Sequence, residues 1–208
     1  MKVYLIRHAK TKANEEGRYT GKTDVPISEA GREITKALRP FYGIDKIYVS
    51  SMLRARETAS MLFPDSKAII YDDLREMDFG HFEGRNFDDL RDDPEYIKWV
   101  DAGGLGACPG GEDPEVFSGR VTGVIKQIIT DAHSEEKEII YIVTHGGVIM
   151  TAMYEFTGRS RDLFDFITQN NGGWSFETAD IKNDIDGRIK ISDYFYFDDT
   201  DTINRQQT

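Results

Sequence analysis

The chain of 208 residues has one cysteine and no long hydrophobic run. Cys108 has no second cysteine to pair with, so an internal disulfide is excluded and a reducing compartment is the default expectation. No apolar stretch approaches the roughly 20 residues that a helix needs to cross a bilayer, so no membrane span is expected. Strand-like residues begin at Lys2, without the basic and apolar regions of a signal peptide. We therefore expect a cytoplasmic protein.

Positive charge is also scarce. The 26 lysines and arginines stand against 37 acidic residues and give a net charge of −11. A nucleic-acid partner is not expected, because the phosphate backbone requires a basic face. A small anionic substrate remains compatible with this balance. Exposed charges are screened beyond about 8 Å at physiological salt, so a local group of arginines can dominate one pocket.

Two apolar runs each end in a histidine. Residues 2–8 read Lys-Val-Tyr-Leu-Ile-Arg-His, and residues 138–145 read Glu-Ile-Ile-Tyr-Ile-Val-Thr-His. Both runs are rich in β-branched and aromatic residues and do not alternate, which is typical of parallel strands buried on both faces. Ligands of open parallel sheets bind outside the carboxyl ends of the strands, so His8 and His145 are expected at that edge. Arg7 makes the edge cationic, which suits a phosphoryl group.

Helical and strand-like segments alternate along the chain, which predicts a three-layer αβα sandwich with a mostly parallel central sheet. Further helices are expected from Ser28 to near Arg39 and over residues 52–63, 114–132 and 148–156. Further strands are expected over residues 45–50, 66–71, 174–178 and 188–196, the last two antiparallel at the sheet edge. Ser28 and Ser51 are the expected N-caps of the first two helices. The buried face of the first is expected to carry Ile34, Ala37, Leu38 and Phe41.

The length favours a single domain of residues 1–208, because two domains would leave each with a small core. Residues 72–112, rich in Asp, Gly and Pro, interrupt the alternation. We interpret them as an insertion that covers the site, with short helices near residues 87–91 and 95–100. The polar tail from Asp198 onward is expected to fray.

Three segments offer candidate binding residues. The loop after the first histidine carries Thr11, Asn14, Thr20 and Gly21, whose hydroxyl, amide and backbone donors suit phosphate oxygens. Arg54 lies in the first turn of the helix over residues 52–63, where it either forms a surface ion pair or clamps an anion together with the helix N-terminus. Residues 73–84 carry several carboxylates, and spacing alone does not say which of them faces a pocket.

These segments resemble, in the right order, the motifs of the histidine phosphatase (phosphoglycerate mutase-like) superfamily. Residues 5–14, Leu-Ile-Arg-His-Ala-Lys-Thr-Lys-Ala-Asn, resemble its opening Arg-His-Gly-x-Thr/Ser-x-x-Asn motif, and residues 21–31 continue the match. Residues 50–59 resemble its Ser-x-Leu-x-Arg-Ala-x-x-Thr-Ala block, residues 74–84 its acid-bearing loop and residues 143–147 its second histidine. The resemblance covers roughly residues 2–155. One departure is Ala-Lys at residues 9–10, where the family more often has Gly-Glu.

The resemblance implies a phosphoglycerate mutase-like fold and a role for each matching residue. His8 would be the nucleophile that becomes phosphorylated, and Glu76 the proton donor. The phosphoryl oxygens would be held by Arg7, Arg54, His145 and the adjoining Gly146. The physical chemistry agrees, because a neutral imidazole is a good nucleophile near pH 7 and guanidinium groups neutralise the oxygens of a loose transition state.

The implied activity is that of a metal-independent phosphomonoesterase that needs no cofactor. A metal site built from His8, His145 and Glu76 is conceivable by residue type, but the neighbouring arginines would repel a dication. The partner would be a small phosphorylated metabolite. Residues 93–99 and 109–112 resemble small phosphatases of the superfamily, including the α-ribazole phosphatase-like branch. α-Ribazole 5'-phosphate and a sugar phosphate both remain open as substrates, and the sequence predicts no oligomeric state.

Two other functions stay open. A phosphoglycerate mutase must retain a bisphosphate, which calls for basic residues in the cover. Between residues 80 and 118 three lysines and arginines stand against ten acidic residues, which disfavours this alternative. A non-catalytic module that binds a phosphometabolite would have lost the nucleophile or the acid, and neither is lost here. The cover also holds aromatic residues that either line a leaving-group pocket or form the insertion's own core: Phe79, Phe82, Phe87, Tyr96 and Trp99.

Overall fold

The computed structural model of the chain describes residues 1–178 and 189–197. The strands are β1 (Lys2–Arg7), β2 (Lys46–Ser50), β3 (Lys67–Tyr71), β4 (Ile139–Thr144), β5 (Gly172–Thr178) and β6 (Ile189–Tyr196). The helices are α1 (Lys12–Glu15), α2 (Glu29–Ala37), α3 (Leu53–Leu62), α4 (Phe87–Leu90), α5 (Pro94–Asp101), α6 (Pro114–Ser134) and α7 (Gly146–Phe156). Short 3-10 turns cover Asp72–Leu74, Gly80–Phe82 and Leu163–Phe166. These elements alternate as the sequence predicts.

The strands form one sheet in the order β3-β2-β4-β1-β5-β6. β3, β2, β4 and β1 are parallel, whereas β5 and β6 are antiparallel to their neighbours, with β6 at the edge. In the register of β1 with β4, Arg7 pairs with Thr144. His8 and His145 therefore leave the same edge of the sheet side by side, which confirms the expectation for the two strand ends.

Helices cover both faces of the sheet. Along β1, Val3 and Leu5 point into the core beneath α6 and α7, while Tyr4 and Ile6 point into the core beneath α3. All four side chains are almost fully buried. Burial of alternate residues on opposite faces explains why the strand is apolar throughout. The predicted three-layer αβα sandwich with a mostly parallel sheet is confirmed.

The predicted buried face of α2 is partly confirmed. Leu38 is buried and Phe41 packs against the core beneath α3, as expected, whereas Ile34 is 43% exposed and Ala37 is exposed.

The residues that α2 itself buries are Gly31 and Thr35. A side chain at Gly31 would lie 2.1 Å from the carbonyl oxygen of Lys10, and the Thr35 hydroxyl accepts from the Asn171 amide at 3.0 Å. This side of the helix packs against loop backbone and polar side chains, which hydrophobic spacing does not reveal.

The predicted N-cap of α3 is wrong. Ser28 caps α2 as expected, but Met52 holds the N-cap position of α3 and its side chain makes no cap bond. The Ser51 hydroxyl donates instead to Asp72 at 2.7 Å, and the backbone N–H of Leu53 donates to the carboxylate of Asp24 at 2.6 Å. The cap therefore comes from a residue distant in sequence, which local spacing does not reveal.

Within residues 72–112, the predicted cover, α4 and α5 lie near their expected positions in the sequence. Phe82, Leu90, Tyr96 and Cys108 form a small buried cluster of their own within this segment. Burial raises the pKa of the Cys108 thiol to about 11. Within the described residues no helix combines the length and hydropathy that crossing a membrane requires. The residue predicted to start the last strand, Arg188, and the tail from Asp198 onward lie outside the described residues.

Candidate active site

His8 lies directly after β1 and is 4% exposed. Its Nδ1 is 2.7 Å from the carbonyl oxygen of Ala9. Because a carbonyl oxygen only accepts hydrogen bonds, Nδ1 carries the proton and Nε2 keeps its lone pair. Burial, with the positive charges of Arg54 and Arg7, holds the pKa of His8 well below its ordinary value of 6.5. The ring is therefore neutral at physiological pH and has the protonation state of a nucleophile.

Arg7 donates from Nη1 to the carbonyl oxygen of Thr168. Its Nε is buried and has no hydrogen-bond partner among the described residues. A buried donor without a partner costs free energy, so this N–H is well placed to receive an anionic oxygen from a ligand. Burial lowers the pKa of Arg7, and the Glu76 carboxylate opposes this shift.

Arg54 is 1% exposed beneath the site. Its Nη1 donates to the carbonyl oxygen of Thr23 at 3.0 Å, and its Nη2 donates to that of Gly21 at 2.9 Å. Burial lowers the pKa of Arg54, whereas the carboxylate of Glu76 raises it. The surface ion pair that the sequence left open is excluded by this burial, and Arg56, two residues on, is the exposed arginine of the helix.

The loop that accepts these bonds is itself held by Glu83. Oε1 of this carboxylate accepts from the backbone N–H groups of Gly21 at 2.9 Å, Lys22 at 3.0 Å and Phe79 at 3.1 Å. Its Oε2 accepts from the Thr23 hydroxyl at 2.7 Å. Glu83 thus joins the cover to the loop that positions the guanidinium of Arg54.

His145 is the N-cap residue of α7 and is fully buried. Its ring lies 5.1 Å from the ring of His8, measured between centroids. Its Nδ1 accepts from Arg54 Nε at 3.3 Å, and its Nε2 lies 2.8 Å from Ser50 Oγ. Since the arginine can only donate, Nδ1 is the acceptor and Nε2 carries the proton. Burial and the charge of Arg54 lower the pKa of His145 well below 6.5.

Glu76 is 8% exposed and reaches the site from the cover. Its Oε1 accepts from the backbone N–H of Met77 at 3.0 Å, and its Oε2 accepts from that of Gly147 at 3.0 Å. Gly147 lies in the first turn of α7, whose positive dipole end favours an anion. Of the carboxylates in residues 73–84, Glu76 is the one that lines the cavity.

A cavity of about 570 Å³ is lined by Arg7, His8 and Glu76, whereas Arg54 and His145 are buried and do not line it. Besides the first three side chains and a few further polar residues, the lining includes the apolar side chains of Phe79, Trp99, Leu105, Met150, Leu163 and Phe164. The aromatic residues of the cover could line a leaving-group pocket or form the insertion's own core, and the structure shows both. Phe79 and Trp99 line the cavity and also pack against the cluster that contains Phe82 and Tyr96, whereas Phe87 is 63% exposed.

The structure brings Asn14, Thr20 and Gly146 to the cavity, but not Thr11 or Gly21. The Thr11 hydroxyl accepts from the backbone N–H of Asn14 at 3.2 Å and caps α1. The backbone N–H of Gly21 is occupied by Glu83, and a side chain at Gly21 would lie 1.6 Å from the Met77 carbonyl oxygen. Both residues shape the loop and do not line the cavity, and their binding of phosphate stays a prediction.

Several supporting residues escape sequence reasoning. The Asn170 amide donates to the carbonyl oxygen of His8 at 2.9 Å, and the Thr58 hydroxyl accepts from the backbone N–H of Ala9 at 2.8 Å. Ser50 Oγ lies 2.8 Å from Nε2 of His145. The position of Ser50 at the carboxyl end of a buried strand was a usable signal, whereas Asn170 follows a 3-10 turn that no motif marks.

The described residues contain no group of three His, Cys, Asp or Glu side chains arranged to hold a metal ion. His8, His145 and Glu76 are therefore not placed as a shared set of ligands. Hydrogen bonds to Ala9, Ser50 and Arg54 already occupy three of the four ring nitrogens of the two histidines. The arrangement provides one nucleophilic nitrogen, cationic donors and a carboxylate.

Comparison with known proteins finds several phosphatases that are similar to this chain. The chain is 29% identical over 182 residues to an adenosylcobalamin/alpha-ribazole phosphatase of Escherichia coli K12, covering 84% of this chain and 88% of the relative. It is 33% identical over 159 residues to the protein of that name from Salmonella typhimurium, covering 72% and 76% of the two chains. The crystal structure of the alpha-ribazole phosphatase from Shigella flexneri shares the fold, with a TM-score of 0.78, 24% identity and coverage of 95% and 97%.

The sequence profile of the histidine phosphatase superfamily (branch 1) matches residues 3–183, which is most of the chain. Both the resemblance of the motifs and the enzyme class that it implies, a phosphoric monoester hydrolase, are thereby confirmed. The protein belongs to the histidine phosphatase superfamily.

Proposed function

We propose that this protein hydrolyses a phosphate monoester through a phosphohistidine at His8. The observation that carries the proposal is the hydrogen bond from His8 Nδ1 to Ala9, which leaves the Nε2 lone pair free in a cavity that Arg7, with its unpartnered Nε, also lines. A nucleophile and an unpartnered cationic donor in one cavity are what transfer of an anionic phosphoryl group requires.

The first step transfers the phosphoryl group to the enzyme. Nε2 of His8 attacks phosphorus, the ester P–O bond breaks, and its electron pair leaves with the alcohol oxygen, which takes a proton from Glu76. Arg7 and the Arg54–His145 pair, together with the positive end of α7, neutralise the charge on the phosphoryl oxygens. The neutral alcohol then leaves through the apolar part of the cavity.

The second step releases phosphate. Water attacks the phosphorus of phosphohistidine, Glu76 accepts one of its protons, and the P–N bond breaks so that Nε2 regains its lone pair. One carboxyl group thus serves as acid and then as base. No metal ion or cofactor enters either step.

We further propose that the leaving group carries an aromatic ring, as in α-ribazole 5'-phosphate. The part of the cavity away from His8 is walled by Phe79, Trp99, Leu105 and Phe164, which suits a planar apolar group. The relatives from Escherichia coli and Salmonella typhimurium are named adenosylcobalamin/alpha-ribazole phosphatases.

The charged residues of the cover support a phosphatase over a mutase. Arg85 pairs with Asp93 at 2.7 Å, and Arg18, at the rim of the cavity, pairs with Glu16 at 2.6 Å and with Asp89 at 2.7 Å. These arginines are neutralised by neighbours, so they offer little attraction to the second phosphate of a bisphosphate. Retention of that molecule is disfavoured.

The test compares esters that share a phosphate and differ in the alcohol. Phosphate release should be faster for α-ribazole 5'-phosphate than for ribose 5-phosphate, which lacks the aromatic base, and slowest for 3-phosphoglycerate. Trp99→Ala should lower kcat/KM for the first ester and leave that for ribose 5-phosphate nearly unchanged. Label from a ³²P ester should appear on His8 after an alkaline quench. Full activity of His8→Ala, or faster isomerisation than hydrolysis of 3-phosphoglycerate, would overturn the proposal.

A further inference from the structure

Arg120 on α6 and Glu112, just before that helix, form a bidentate ion pair next to the loop that carries Glu76. Arg120 Nε donates to Glu112 Oε1 at 2.7 Å, and Nη2 donates to Oε2 at 2.8 Å. The two side chains are only 10% and 13% exposed. Paired guanidinium and carboxylate groups with little solvent contact form a geometrically specific unit.

The remaining donors of Arg120 all go to the backbone that leads into Glu76. Nη1 donates to the carbonyl oxygens of Asp73 at 2.9 Å and Arg75 at 2.8 Å, and Nη2 donates to that of Glu76 at 3.1 Å. All five N–H donors of the guanidinium are thereby used. Three of them fix consecutive parts of a single loop.

Glu112 holds the other side of the same loop. Its backbone N–H donates to the carbonyl oxygen of Asp78 at 2.9 Å, and its Oε2 accepts from the Asp78 N–H at 3.4 Å. Residues 76–79 belong to no helix or strand, so no regular hydrogen-bond pattern sets their path. The backbone on both sides of Glu76 is therefore bonded to this ion pair, in addition to the bonds that Glu83 and Thr144 make to Phe79 and Leu74.

We propose that Arg120 and Glu112 are positioning residues that place the Glu76 carboxyl group for proton transfer to the leaving alcohol. This inference rests on the proposed function, because it assumes that Glu76 is the proton donor. Neither residue lines the cavity. Their main effect should fall on the step in which the leaving group takes up a proton, since His8, Arg7 and Arg54 are held by other contacts, although the charge of Arg120 also contributes to lowering the pKa of His145.

The test measures how strongly each variant depends on the leaving group. In Arg120→Met, kcat/KM for an alkyl phosphate should fall about 10–100-fold, since a displacement of about 1 Å can cost about 10²-fold. The loss for p-nitrophenyl phosphate should stay within about threefold, because p-nitrophenolate leaves without a proton. Arg120→Lys keeps the charge but satisfies fewer carbonyl groups, and should lie in between. Arg159→Met is the control, since that arginine is 60% exposed and, within the described residues, forms its ion pair with Glu155 and stacks over Tyr154, away from the cavity.

A double variant separates positioning from general support of the fold. In a Glu76→Gln background, Arg120→Met should cause no further loss that depends on the leaving group, because the two changes affect one step. Equal losses on both esters in Arg120→Met, or fully additive losses in the double variant, would overturn the inference. If Arg120→Met does not fold, Arg120→Lys and Glu112→Gln decide the same question by the same comparison.

Failure of the proposed function gives a different result. If Glu76→Gln itself loses activity equally on both esters, Glu76 is not the proton donor, and the proposed function and this inference fall together. If Glu76→Gln shows the selective loss and Arg120→Met does not, the proposed function stands and only the positioning role is lost.

Discussion

Gly147→Ala should displace the proton donor without removing any catalytic group. A methyl group at this position would lie 2.5 Å from Glu76 Oε1 and 3.2 Å from Glu76 Cδ. Carbon–oxygen contacts in proteins rarely fall below about 3.3 Å, so the carboxylate must retreat by roughly 0.8 Å. The hydrogen bond of 3.0 Å from the Gly147 N–H to Oε2 is stretched by the same movement.

The expected magnitudes separate activity from stability. A shift of this size should lower kcat/KM for an alkyl phosphate by about 30–100-fold, whereas the value for p-nitrophenyl phosphate should change by less than about threefold. Gly147 is helical and free of a left-handed φ, so alanine fits its backbone. The free energy of unfolding should therefore stay unchanged or rise by up to about 1 kcal/mol.

Gly123→Ala in α6 is the matched control, because a methyl group there meets nothing within 4 Å. It should stabilise the protein by about 0.4–1 kcal/mol and leave both esters unaffected. Steady-state kinetics on the two esters and urea unfolding measure all of these quantities. Wild-type turnover of the alkyl phosphate by Gly147→Ala, or equal losses on both esters, would refute the reasoning.

Three further predictions use other parts of the site. The free energy of unfolding, measured with urea, should fall between pH 7.5 and pH 5.5 by up to about 1.4 kcal/mol for each of His8 and His145. The reason is that the folded state holds the pKa values of both histidines low, whereas the unfolded chain takes up protons near pH 6.5. Glu83→Gln should lower kcat/KM for alkyl and p-nitrophenyl phosphates alike, since Glu83 orders the loop that holds Arg54. Phosphate release should survive exhaustive treatment with EDTA.

Each of these three predictions can be contradicted by one result. Stability that stays flat between pH 7.5 and pH 5.5 would mean that the histidines are not held neutral by the fold. A loss in Glu83→Gln confined to alkyl phosphates would place that residue with the proton donor and not with Arg54. Loss of activity on chelation, with rescue by zinc or magnesium, would revive the metal mechanism.

The sequence predicts the sheet and the two histidines well because the controlling pattern is local. Four or five consecutive apolar residues, followed by one polar residue and a histidine, indicate a buried strand and place the histidine at its end, whatever the rest of the chain does. The choice of Glu76 among the carboxylates of residues 73–84 came only from the family resemblance. The structure distinguishes it through contacts with Gly147, which lies far along the chain.

The expectations that failed depend on contacts between distant segments. α2 buries Gly31 and Thr35 because loop backbone lies against them, and α3 is capped by Asp24 from outside the helix. Arg120 looks like an ordinary polar residue of a long helix, and its five bonds become visible only in three dimensions. Such contacts are set by how the elements pack, which spacing along one element does not encode.

The order of strands in the sheet has a consequence for synthesis on the ribosome. β1 is the first strand made, yet its two neighbours are β4 and β5, which begin at Ile139 and Gly172. At about 5–20 residues per second the nascent chain waits on the order of ten seconds before β1 can pair. Stalled chains that end before β4 should therefore be protease-sensitive, and protection should appear once β4 and β5 have left the exit tunnel. Protection of the shorter chains would show that β1 and β2 form a stable unit without them.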